Sequence, residues 1–63
     1  MKYYVKTEAR EDGTHVVHRE DCQFLPNADN RKALGDAAKS ATALDRARDE
    51  YDRVKGCQTC CSD

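Results

Sequence analysis

The 63-residue sequence contains no tryptophan, one phenylalanine and one proline, and it has no long run of apolar residues. A membrane-spanning helix needs about 20 such residues. The three apolar residues that follow Lys2 are also too few for the hydrophobic segment of a secretory signal. We therefore expect a cytoplasmic protein with no membrane partner.

The sequence also lacks an excess of charge of one sign. Eleven lysines and arginines stand against twelve aspartates and glutamates, for a formal net charge of −1. Nucleic-acid-binding domains usually carry a basic surplus, so a nucleic-acid partner is not favoured, although a weak nucleic-acid-binding module stays an alternative. A protein partner is compatible with this balance. No carboxylate pair stands in an apolar setting, so the sequence does not indicate an enzyme.

Large apolar side chains are few, because much of the apolar content is alanine. A chain of this length forms one small domain, over residues 1–63, with little interior relative to its surface. Such domains commonly depend on a bound metal ion or on disulfides for their stability. Residues that can cross-link the chain are therefore expected in this sequence.

Cysteines and histidines are the reactive residues that the sequence does contain. His18 and Cys22 form a His-x3-Cys pair, and Cys57 and Cys60 form a Cys-x2-Cys pair near the other end. Three thiolates and one imidazole match the ligand number and softness of a tetrahedral zinc site. Cytoplasmic thiols stay reduced, which favours metal over disulfides. The sequence predicts a structural zinc ion held by His18, Cys22, Cys57 and Cys60.

The sequence also allows other roles for its cysteines and histidines. Cys22 could form a disulfide with Cys57 or Cys60, or the thiols could be free in a metal-free domain. Cys61 is surplus: it could replace Cys60 as a ligand, stay free, or pair with another chain. His15 lies an odd number of positions before His18, so an ideal strand turns the two side chains to opposite faces, and we expect His15 to be no ligand.

Alternating and helical patterns predict an α+β fold. The pattern predicts a β-hairpin with strands at residues 3–8 and 15–18, whose connection ends in Asp12-Gly13. It also predicts a short third strand at residues 32–34. Residues 40–55 read as a C-terminal amphipathic helix, with Ser40 as N-cap and Gly56 as the stop. Its apolar stripe is Leu44, Ala47, Tyr51 and Val54.

The pair Cys57 and Cys60 would follow the C-terminus of this helix. The helix dipole disfavours a reactive thiolate there, and therefore a redox role for the pair.

The order of these motifs resembles that of a group of very small uncharacterised bacterial proteins. The residues that carry the resemblance are Tyr3-Tyr4-Val5, Asp12-Gly13, His18-x3-Cys22, Leu25-Pro26, Asn30, Leu34-Gly35-Asp36, Ala43, Ala47, Tyr51 and Gly56-Cys57-x2-Cys60. More distantly, the pattern is similar to the metal-binding domain of the Ada DNA-repair protein. That similarity implies zinc at the same four ligands.

The Ada-type domain also implies methyl transfer from a DNA phosphotriester to a zinc-bound thiolate. That domain uses four cysteines, whereas this chain has His18 at one position and no basic flank. A neutral imidazole lowers the negative charge of the zinc complex, and with it the nucleophilicity of the remaining sulfurs. We therefore do not expect methyl transfer.

Overall fold

The structure, a computed structural model, describes residues 1–60. Its elements are, in chain order, β1 (Lys2–Lys6), β2 (His15–Arg19), a 3-10 turn (Ala28–Asn30), β3 (Arg31–Asp36), α1 (Ser40–Arg48) and β4 (Val54–Gly56). The strands form one mixed sheet in the order β3-β1-β2-β4. The predicted α+β class is confirmed, with a four-stranded sheet and one helix.

The hairpin of β1 and β2 follows from the alternation in the sequence. Tyr3 and Val5 on β1 are buried with Val17 on β2, and the two strands pair in antiparallel register, Val5 opposite Val17. Gly13 in the connection has φ +85°, which glycine adopts without the steric cost that a side chain brings. The predicted Asp12-Gly13 turn thus has the positive φ angle that the hairpin needs.

Strand β3 pairs antiparallel with the other edge of β1 and contains a bulge. Tyr3 lies opposite Gly35 and Tyr4 opposite Ala33, so Leu34 has no partner in the ladder. Gly35 has φ +79°, again a conformation that suits glycine. Leu34 is 9% exposed and belongs to the core. The predicted third strand is therefore confirmed, and at Arg31–Asp36 it is longer than the predicted residues 32–34.

Helix α1 packs small side chains onto the sheet. Ala43 and Ala47 are fully buried and join the cluster formed by Tyr3, Val5 and Val17. The core is therefore a thin layer between one short helix and one face of the sheet.

Within residues 1–60, no helix has the length and apolar character needed to cross a membrane.

The predicted end of the helix is wrong. The helix stops at Arg48, Asp49 is its C-cap, and residues 54–56 form a strand instead of the last helical turn. Val54 pairs in parallel with His15, and the N–H of His15 donates to the carbonyl of Arg53 at 2.9 Å. Pairing with the sheet satisfies backbone groups that a longer helix would satisfy internally, and the sequence pattern does not reveal that competition.

The predicted N-cap of the helix also differs from the structure. Lys39 occupies the N-cap position without a side-chain cap bond, and Ser40 is the first helical residue. Arg48 of the helix pairs with Asp45, whereas Glu50, which lies just after the helix, pairs with Lys32 of β3. The helix is therefore held by its packing on the sheet more than by its own side-chain pairs.

Candidate metal centre

Strand β2 and the turn after it supply the first two candidate ligands. The Arg19 guanidinium pairs with the Asp21 carboxylate at 2.8 Å, and the N–H of Cys22 donates to the carbonyl of Arg19 at 3.1 Å. This turn reverses the chain directly after His18. As a result, Sγ of Cys22 lies 3.6 Å from Nδ1 of His18.

Strand β4 supplies the third ligand by running beside β2. Gly56 lies opposite Val17 in the parallel ladder, and the N–H of Cys57 donates to the carbonyl of Val17 at 2.9 Å. Cys57 follows Gly56 as His18 follows Val17, so Cys57 lies beside His18. Its Sγ lies 3.9 Å from Sγ of Cys22.

The turn after Cys57 brings back Cys60. The backbone N–H of Arg19 donates to Sγ of Cys60 at 3.3 Å, across 41 positions of sequence. The structure therefore brings together all four residues that the sequence predicts as ligands, and their ligand atoms all lie within 4.8 Å of one another. We call His18, Cys22, Cys57 and Cys60 the His–Cys cluster. It could hold a metal ion.

Two separations within the His–Cys cluster match those of a tetrahedral ligand set. With bonds of about 2.3 Å to sulfur and about 2.0–2.1 Å to nitrogen, tetrahedral ligands lie about 3.8 Å apart for two sulfurs and about 3.6 Å apart for sulfur and nitrogen. The two separations given above are 3.9 Å and 3.6 Å. A disulfide requires sulfurs about 2.0 Å apart. Cys22, Cys57 and Cys60 are free thiols in this structure.

Burial prepares the histidine to act as a ligand. His18 is 6% exposed. Burial, with a smaller contribution from the positive charge of Lys6, lowers the pKa of His18 below its ordinary value of 6.5. The imidazole is therefore neutral at pH near 7, which is the form that binds a metal ion.

The two buried cysteines differ in their acidity. Burial, reinforced by the neighbouring thiol of Cys60, raises the pKa of Cys22 to about 11. Burial acts in the same direction on Cys57, but hydrogen bonds from the backbone N–H groups of Cys60 and Thr59 outweigh it and lower the pKa of Cys57. Cys57 is thus the more acidic of the two thiols, whereas Cys22 must lose a tightly held proton to bind a cation.

The remaining candidates lie apart from the His–Cys cluster or outside the structure. His15 stacks on Tyr51 with ring centroids 3.6 Å apart, and its Nδ1 lies 2.9 Å from the carbonyl of Lys6. Cys61, the surplus cysteine, lies outside the described residues. Sequence reasoning did not find the contribution of the Arg19 N–H, because a main-chain donor leaves no signature in residue type.

No protein-family model matches the chain, and neither the curated proteins nor the solved structures contain a significant match to it. The function must therefore be inferred from the residues and their geometry. The strongest observation for that purpose is the convergence of three sulfurs and one imidazole nitrogen from two distant segments.

Proposed function

We propose that the protein is a small zinc-binding module in which the ion has a structural role. The observation that carries this proposal is the convergence of the four ligand atoms of the His–Cys cluster within 4.8 Å of one another, with sulfur 3.6 Å from nitrogen in one pair and 3.9 Å from sulfur in another. Thiolate-rich sites select zinc over the hard cations magnesium and calcium, which prefer oxygen ligands. A set of four protein ligands leaves no open position for a substrate, as in structural zinc sites.

The ion would join two turns that are far apart in the sequence. One is the turn that follows β2 and carries Cys22; the other is the turn that follows β4 and carries Cys57 and Cys60. β4 has only three residues, and its pairing with β2 ends at Gly56. A metal ion that binds both turns fixes them to each other, and its binding free energy then adds to the stability of the fold.

N–H groups directed at sulfur favour a structural role. The Arg19 N–H donates a hydrogen bond to Sγ of Cys60. The backbone N–H groups of Cys60 and Thr59 donate hydrogen bonds to the sulfur of Cys57. Such hydrogen bonds stabilise thiolate charge and reduce the basicity of the sulfur. Together with the neutral histidine ligand, they argue against the methyl transfer that the resemblance to the Ada-type domain implies. That resemblance, like the cytoplasmic location, stays a prediction.

Native mass spectrometry of protein purified without added zinc tests the proposal. We expect one zinc ion per chain and loss of the folded circular-dichroism signal on chelation. Cys57→Ser should lose the metal and the fold, because structural zinc sites contribute apparent binding free energies on the order of 10 kcal/mol. Thr59→Ala, an exposed neighbour in the same turn, serves as the control and should keep both.

Two results would contradict the proposal. One is a metal-free chain whose melting is unchanged by chelator and by Cys57→Ser. The other is a mass lower by two hydrogen atoms, which would indicate a disulfide and would support the metal-free alternative.

A further inference from the structure

A cleft of about 510 Å³ opens beside the His–Cys cluster. His18 and Cys57 belong to its lining, so the cleft and the candidate metal centre share a wall. Val16 and Pro26 add apolar surface. A volume of this size lies in the range of ligand-binding clefts, about 300–1,000 Å³.

The cleft is positively charged although the whole chain is not. Lys6, Arg10 and Lys55 line it, and no aspartate or glutamate of residues 1–60 does, in a chain with twelve acidic residues. Within the same range, none of the three cations takes part in a side-chain ion pair. Arg10 also borders Glu11 and Asp12 in a neighbouring depression. The positive charges of Lys6 and Lys55 are therefore less neutralised by nearby carboxylates than the charge of Arg10. They favour an anionic ligand in the cleft.

An exposed aromatic ring stands at the same cleft. Phe24 is the sequence's one phenylalanine, it is 59% exposed, and it lines the cleft near Pro26. At this exposure, most of the ring is accessible to a ligand in the cleft. Aromatic rings beside cations are the features with which proteins bind single-stranded nucleic acid, since bases stack on the ring while phosphates contact the cations.

We propose that this cleft binds a single-stranded nucleic acid, with a base stacked on Phe24 and neighbouring phosphates at Lys6, Lys55 and Arg10. The three cations come from β1, from the connection between β1 and β2, and from β4. A nucleic-acid strand can bring more than one phosphate to cations that line the same cleft. The formal net charge of −1 conceals this site because the acidic residues that the structure describes all lie outside the cleft.

Fluorescence anisotropy with a short labelled deoxythymidine strand tests the proposal on the purified protein, with the metal content measured in every sample. We expect saturable binding that weakens with salt, with a slope of log Kobs against log salt between about −1.4 and −2.1, as for two or three neutralised phosphates. Phe24→Ala should weaken binding by about 5- to 150-fold, the range found for loss of one stacked base. Phe24→Tyr keeps a ring and should bind nearly as well as the original protein.

Matched charge reversals locate the binding surface. Lys55→Glu should weaken binding and make the salt slope shallower by about 0.7 for each phosphate that the variant no longer neutralises. Lys39→Glu makes the same charge change at an exposed residue outside the cleft and should have little effect. Equal weakening in the two variants would indicate non-specific attraction and would overturn the proposal.

Three other outcomes would also overturn it. The first is no binding of the strand by metal-loaded, folded protein. The second is binding of a duplex as tight as that of the single strand, because paired bases are not free to stack on Phe24. The third is equally tight binding of deoxythymidine monophosphate, which would make the cleft a site for a free nucleotide. A protein without metal that still binds the strand would contradict the zinc proposal alone.

Discussion

His15 and His18 point to opposite faces of β2. His15 stacks on Tyr51 at 3.6 Å, with the ring planes 16° apart, whereas Nδ1 of His18 lies 3.6 Å from Sγ of Cys22. Three positions separate the two residues, and side chains alternate between the faces of a strand. One strand thus supplies a packing histidine to the helix side of the sheet and a candidate ligand to the other.

The two histidines provide a matched test of the site. His18→Ala should abolish stoichiometric metal binding, because it removes one of four ligands. His15→Ala should keep the metal and lower the free energy of unfolding by about 1–2 kcal/mol, for the loss of a ring stack and one hydrogen bond. Metal content by native mass spectrometry and chemical denaturation measure the two effects. Metal loss in the His15 variant alone would make His15 the ligand instead of His18.

Cys60 and Cys61 are adjacent and differ in their predicted roles. Cys60→Ser should lose the metal, because Sγ of Cys60 lies within the His–Cys cluster and accepts the Arg19 N–H. Cys61→Ser should retain one zinc ion per chain with unchanged stability. Both are serine substitutions at neighbouring positions, so the comparison isolates the ligand role. The opposite pattern in the metal stoichiometry would make Cys61 the fourth ligand.

Metal affinity should fall as the pH is lowered. The pKa of Cys22, raised by burial to about 11, keeps its thiol protonated at neutral pH in the absence of metal. Binding of the proposed zinc ion would therefore release that proton, so a lower pH should favour the metal-free form. We expect about a tenfold loss of affinity per pH unit for each proton released, measured by chelator competition between about pH 8 and about pH 6. A flat profile would show that no thiol proton is displaced.

Replacing that thiol with an imidazole supplies the control for the pH experiment. A histidine at position 22 is neutral above its ordinary pKa of about 6.5. Cys22→His should therefore still bind zinc, with a shallower dependence on pH in the neutral range. An unchanged slope would assign the released proton to another group.

Arg46 holds the helix to the edge strand. Its Nη1 donates to the carbonyls of Leu34 at 3.0 Å and Asp36 at 2.5 Å, at either side of Gly35. Arg46→Ala should lower the free energy of unfolding by about 1.5–3 kcal/mol, the range for hydrogen bonds to a charged group. Denaturant unfolding of the zinc-loaded protein measures this.

Arg48 supplies the comparison for Arg46 on the same helix. It pairs only with the exposed carboxylate of Asp45 among the described residues, and the two side chains are 57% and 75% exposed. Surface pairs of this kind contribute about 0–1 kcal/mol, so Arg48→Ala should change stability little. Equal effects of the two substitutions would mean that the hydrogen bonds of Arg46 do not stabilise the fold.

Local patterns in the sequence determined the hairpin, the third strand and the presence of a helix. Tyr3 and Val5 alternate with Tyr4 and Lys6, and this predicts that one face of β1 is buried, because the alternation depends only on neighbouring residues. The types of the candidate ligands could also be predicted, since few side chains bind zinc and their spacing is short within each pair.

Tertiary structure alone decided where the helix ends and how the ligands converge. Leu44, Ala47, Tyr51 and Val54 all pack against the core, as their spacing predicts, but Tyr51 and Val54 do so from a loop and from β4. A periodic pattern reports which residues are buried without fixing the backbone between them. Val54–Gly56 becomes a strand because β2 offers a free edge, and it is this long-range pairing that sets Cys57 beside His18.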